Sequence, residues 1–304
     1  MAATPQPPWN DALVGPYTIL VFVPHATAAV RFFDDVFRLL LARGHRVVLA
    51  FDKARDADPD AFLAEFLASG RVEWLETERF PLDERLQLVR RLRRSADFVR
   101  FLGPDFAQSP WLIERSRTRA PRYLRWLLRL PLLRSPGALR GMYRAYGAME
   151  TALPPSRDVD ALLDGVRPDV VLVCPNLMPG SEQTAYVGNA RAKGIPVAVS
   201  VPSWDNLLTK QQIRPLPDRV LVWNELQREE AVRMHDIPAE SVVVTGAQCF
   251  DRWFGWVAGS RAEFCNRVGL DPDRPFLLYT CGSLARNEDE AAFVRTWATA
   301  IRGS

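Results

Sequence analysis

DVVLVCPNLMPGSEQTAYVGNARAKGIPVAVSVPSWDNLLTK (residues 169–210) and RVLVWNELQREEAVRMHDIPAESVVVTGAQCFDRWF (residues 219–254) decide the fold. Four apolar runs of strand length, at 169–174, 196–201, 219–223 and 241–245, are broken by loops and by helices ending near Gly194 and His235. Unbroken Val/Leu runs between helices predict parallel strands covered on both faces. Ligands of such sheets sit beyond the carboxyl ends of the strands. The polar segments PNLMPGSEQT, PSWDNLLTK and TGAQCFD all fall at those ends, so the block marks one rim of a binding crevice.

Upstream, TILVFV at 18–23 predicts a first strand, 28–42 a helix, and 45–51 a second strand, with Gly44 as the helix C-cap. The fold class is therefore α/β, a doubly wound parallel sheet. The first turn reads Pro24-His25-Ala26-Thr27 and lacks GxGxxG, which argues against a standard NAD or FAD site there. Residues 60–68 read as a helix and 71–75 as a short third strand. Residues 1–16 read as a flexible N-terminus and 17–254 as one Rossmann-like domain carrying a basic helical insert at about 81–155. Residues 255–275 read as a linker. Residues 276–304 read as the first strand (276–280) and helix (288–301) of an incomplete second α/β domain, since one such pair buries no core of its own.

The chain has 304 residues and a formal net charge of +3, unevenly spread. Residues 85–144 hold 15 Arg, no Lys and three acids (Asp97, Asp105, Glu114), or +12, so the remainder carries −9. Such a region points to an anionic partner. Its aromatics and arginines suit an anionic membrane surface. Solvated or internally paired arginines are the alternative reading. A nucleic-acid partner is disfavoured, because no binding module is recognisable and the overall charge is small. The four Cys and three His lack metal-ligand spacing, so no metal is expected and a reduced cytoplasmic setting is. MAATPQPPWND does not read as a signal peptide.

Candidate residues cluster at the predicted strand ends. His25 follows the first strand and is a candidate general base. In SWDNLLTK, Asp205 is a candidate base or sugar-hydroxyl orienter, Asn206 a donor to ligand oxygen, and Lys210 a phosphate holder. Trp204 lies beside them, facing either a ligand or the core. Ser181 and Glu182 open a helix whose free amides suit an anion, or serve as a plain cap. Gly246 permits close backbone approach, or simply a turn, with Gln248 next to it.

These loops, with ILVFVPH, RFFDDVFRLLLARGHRVVLAF and VLVWNELQREEAVRMHDIPAESVVVTGAQCFDRWF, resemble the N-terminal half of GT-B glycosyltransferases. The superfamily also includes UDP-N-acetylglucosamine 2-epimerases and CDP-glycerol glycerophosphotransferases. The likeness runs from about 17 to 281. It implies transfer of a sugar from a nucleotide-sugar donor to a glycan or lipid-linked acceptor, in surface polysaccharide or glycolipid synthesis. The nucleotide-sugar is a substrate, and no further cofactor is implied. It also implies a cytoplasmic enzyme, peripheral at the inner membrane face if the arginines bind lipid. A histidine after the first strand is often the acceptor base, and His25 stands there. The glycerophosphotransferases carry Trp-His-Gly-x-x-x-Lys. Here Asp205 replaces that histidine between Trp204 and Lys210, which favours sugar transfer over polyol-phosphate transfer. The superfamily generally binds its donor on a C-terminal domain, so the given sequence holds the acceptor half. A non-catalytic acceptor- or membrane-binding protein and an epimerase-like or glycerophosphotransferase-like enzyme are the alternatives.

Overall fold

The computed structural model describes residues 15–23, 26–51, 72–76, 84–174, 183–280 and 290–303. His25, Ser181, Glu182 and the helix expected over 60–68 lie outside them. The chain divides into two compact units, Met1–Phe254 and Gly255–Ser304.

The first unit is built on one seven-stranded parallel sheet. Its strands are β1 (Thr18–Val23), β2 (Arg46–Phe51), β3 (Val72–Glu76), β4 (Val170–Val173), β5 (Val197–Ser200), β6 (Arg219–Val222) and β7 (Val242–Val244). The order is β3-β2-β1-β4-β5-β6-β7, with Ile19 opposite Val170 and Ala198 opposite Arg219. Strand order reverses beside β1, where β4 adds on the side away from β2, and this is the switch point at which such sheets open a crevice.

The apolar runs are continuous because each strand buries both faces. Leu20, Phe22, Val48, Ala50, Val171 and Val173 enter one core. The intervening Val21, Val23, Val47, Leu49 and Phe51 enter the other, against Phe37 and Leu41 of the following helix. Each fully buried aliphatic side chain contributes about 1.5–3 kcal/mol. Two aspartates fix the amino ends of the strands. Asp169 accepts the Thr18 amide at 2.7 Å, and Asp218 accepts the Val197 amide at 2.9 Å.

Helix α1 (Ala26–Ala42) stops at Gly44, whose φ of +87° suits a residue without Cβ. Four helices then intervene: α2 (Glu84–Phe101), α3 (Pro110–Arg119), α4 (Arg122–Leu127) and α5 (Pro136–Thr151). They hold a small core of their own around Phe98, Val99, Leu124, Leu128 and Leu139. Helices α6 (Arg157–Val166), α7 (Gln183–Ala192), α8 (Asn206–Thr209), α9 (Glu225–His235) and α10 (Asp251–Phe254) complete this unit.

The second unit holds α11 (Arg261–Val268) and α12 (Glu290–Gly303). Ser260 and Glu263 form a reciprocal capping box at the start of α11. Phe264 stacks on Phe276 at 5.7 Å, and Tyr279 bonds Glu290 at 3.0 Å. The strand expected over 276–280 does not form. The segment has no ladder partner among the described residues, and a lone extended run leaves its amides and carbonyls unpaired.

Candidate functional site

At the carboxyl end of β5 the chain runs through Pro202-Ser203-Trp204-Asp205 into the single turn α8. Asp205 organises this loop. Its Oδ1 accepts from the Ser203 hydroxyl at 2.7 Å and from the Asn206 amide at 3.2 Å, and its Oδ2 from the Thr209 hydroxyl at 2.9 Å. Partial burial disfavours the charged carboxylate. The bonds from Ser203 and Thr209, with the Lys210 charge, outweigh that and hold the carboxyl below its usual range. A carboxylate so occupied is a weak base. Asn206 is buried with its amide turned onto Asp205 rather than outward. Trp204 is 70% exposed, so it does not fill the core.

The basic insert grips the same loop from behind. One turn of helix leaves its carbonyls without intrahelical partners. Arg100 Nη2 donates to Leu207 O at 2.8 Å and Nη1 to Lys210 O at 3.1 Å. Arg115 donates to Thr209 O. Arg93 pairs with Glu150 and donates to Arg214 O. His235 is fully buried, accepting the Ile213 amide on Nδ1 at 3.1 Å, so Nε2 carries the proton toward Leu207 O at 2.7 Å. Burial first, then the Arg100 charge, push the His235 pKa well below the imidazole value, so this ring is neutral. Several arginines read as facing an external anion thus cap protein carbonyls instead. Sequence periodicity marks an arginine's face on a helix, not whether that face meets solvent or a loop distant in the chain.

Neighbouring rim loops are tied in by a residue that sequence reasoning missed. Gln227, buried in α9, accepts the Trp223 amide at 2.8 Å and donates to Ser203 O at 3.1 Å, joining the ends of β5 and β6. Its spacing from the N-cap Asn224, which accepts the Gln227 amide at 2.9 Å, is that of a capping box, the one signal available in the sequence. After β7, Thr245 bonds back to Val222 O and Gly246 turns with φ of +82°. A Cβ there meets nothing within 4 Å, so backbone conformation rather than space selects glycine. Gln248 opens a 3-10 turn whose Phe250 packs edge-on against Trp223 at 5.8 Å.

The rim therefore brings Trp204, Asp205, Asn206 and Lys210 together on one loop, with Gly246 and Gln248 on another. Two cavities in this unit, of about 320 and 430 Å³, lie among the helices and include none of these residues. Among the described residues no group of three His, Cys, Asp or Glu could hold a metal, and no helix is long and apolar enough to cross a membrane.

No protein-family model matches the chain. It is 31% identical over 221 residues to a UDP-N-acetylglucosamine–N-acetylmuramyl-(pentapeptide) pyrophosphoryl-undecaprenol N-acetylglucosamine transferase of a Nocardioides species. The match takes in 70% of this chain and 55% of that protein. Among solved structures, a glycosyltransferase from Rickettsia africae aligns with a TM-score of 0.42 and 9% identity, over 86% of this chain and 52% of its own. The UDP-GlcNAc 2-epimerase of Neisseria meningitidis, bound to UDP-GlcNAc, aligns with a TM-score of 0.38 and 12% identity, over 83% and 51%. The chain has a seven-stranded parallel-sheet domain, is similar in sequence to a glycosyltransferase, and spans about half the length of that curated relative.

Proposed function

We propose that the sheet unit is the acceptor-side domain of a glycosyltransferase. It would move a sugar from a nucleotide-sugar donor to an acceptor hydroxyl in surface polysaccharide or glycolipid synthesis. The observation that carries this reading is the 31% identity over 221 residues to a transferase whose name specifies N-acetylglucosamine and an undecaprenol-linked acceptor. His25 is the base, because Asp205 has its carboxylate oxygens engaged and its basicity lowered. Asp205 and Asn206 shape the loop. The exposed indole of Trp204 offers a stacking face for a sugar ring, and Lys210 a charge for phosphate. Gly246 and Gln248 border the ligand, and Ser181 and Glu182 contribute to binding it.

The test is transfer from UDP-N-acetylglucosamine to a polyprenyl-diphosphate-linked acceptor. His25→Ala lowers kcat by roughly a hundredfold or more, and Trp204→Ala acts mainly on KM. Unchanged transfer in both His25→Ala and Asp205→Ala rejects the assignment.

A second reading, a protein that binds acceptor or membrane without turnover, is favoured by the exposed Trp126 and Leu132 of the arginine-rich segment. Calorimetric titration with UDP-, GDP- and CDP-sugars separates the two, since tight donor binding excludes it. Under either reading the chain works at the cytoplasmic membrane face. Trp126 and Leu132, 65% and 81% exposed, stand with Leu130 beside Arg122, Arg129 and Arg134. Pelleting with anionic vesicles that weakens in salt is the expected result, and equal pelleting with neutral vesicles rejects it.

A further inference from the structure

We propose that the groove between α2, α5 and the end of α9 is a binding site for a phosphate monoester, separate from the rim loops. The groove encloses about 320 Å³. Four guanidiniums line it (Arg100, Arg140, Arg144 and Arg233) against the carboxylates of Asp105 and Asp236, so four minus two leaves a charge of +2. Asp105 faces Arg233 at 3.7 Å across the groove mouth. Asp236 accepts from Gln212 at 3.5 Å.

Arg140 and Arg144 are the informative pair. They stand four residues apart on α5, one turn on the same face, and both are exposed. Neither has a carboxylate partner among the described residues. Like charges at this spacing repel. An anion held between them replaces the repulsion with charge-assisted hydrogen bonds. Beneath them Arg100 is 9% exposed, its terminal nitrogens held by carbonyls, so it supplies field rather than contact. A cleft of net positive charge with apolar walls concentrates that field.

The charge selects the ligand. A phosphate monoester carries close to two negative charges and three acceptor oxygens, which matches +2, whereas one carboxylate leaves the groove positive. Phe106 and Leu139, both buried at its wall, suit a short apolar body attached to the phosphate. That chemistry belongs equally to a free alkyl phosphate and to a phosphatidic headgroup.

Calorimetric titration of the whole chain with n-butyl phosphate, alongside sedimentation with phosphatidic acid vesicles, tests the site. Arg140 and Arg144 are both exposed, so the R140A/R144A double variant keeps the wild-type unfolding midpoint. It weakens butyl phosphate binding, or phosphatidic acid sedimentation, by roughly tenfold or more. The R43A/R157A control, which removes two exposed charges outside the groove, leaves both within about twofold. Loss confined to butyl phosphate assigns a soluble ligand, and loss confined to vesicles assigns a lipid headgroup. Equal loss in both double variants, or no binding of either probe by the wild type, overturns the proposal.

Discussion

Arg100 donates to Leu207 O and Lys210 O from a site with little solvent, and its ring neighbours are Phe101 and Phe106 at 5.5 and 5.3 Å. Arg100→Met therefore removes two charge-assisted bonds, strips Lys210 O of this donor and leaves Leu207 O to His235. A loss of about 3 kcal/mol is expected in urea unfolding, with Arg100→Lys recovering part of it. Gly246→Ala is a different kind of change. It forces a Cβ into a left-handed turn with open space around it, and should cost about 1–2 kcal/mol through backbone conformation alone. At this scale the sequence was only partly informative. Trp204, Asp205 and Lys210 were legible as a cluster because they sit within one loop. The inward turn of Asn206 and the tie made by Gln227 were not, because both depend on partners fixed by the fold.

The strands were the most legible elements, since burial on both faces writes itself as unbroken Val/Leu runs. The same physics makes them intolerant. Leu20→Ala in β1 should cost about 2–5 kcal/mol, read as a lower urea midpoint at unchanged m-value. The apolar run 276–280 looked identical in the sequence and forms no strand, because hydrophobicity specifies an extended segment but not the neighbour that pairs with it. Helix α9 carries the clearest pH dependence. His235 has its folded pKa pushed below the ordinary 6.5, so below that pH the unfolded chain binds a proton that the folded chain refuses. Stability then falls as pH drops from about 6.5 toward the folded pKa. Burial pushes the Asp97 carboxyl up from 3.8, giving a contribution of opposite sign that is lost as pH rises through its own raised value. Urea midpoints at neutral and mildly acid pH should diverge for the native chain and converge for His235→Gln.

At the scale of the whole molecule, the seven strands and four apolar clusters found among the described residues lie within residues 15–254. A fragment ending at Phe254 should fold and unfold in a single cooperative transition with native-like near-ultraviolet dichroism. Loss of that signal would mean the sheet needs the remaining 50 residues. The uneven charge of the chain also has a different meaning once the fold is known. Part of the +12 segment is internal mortar, while Arg140, Arg144 and the arginines beside Trp126 remain outward.

The grip of Arg100, Arg115 and His235 on the turn after β5 has a consequence for engineering. The loop and the insert form a single heritable module, although more than 90 residues separate Arg115 from Thr209 in the chain. A chimera that grafts residues 203–210 onto another parallel-sheet scaffold without those three side chains would carry the loop's residues but not their geometry. Recombination that respects the module should keep function where finer shuffling loses it.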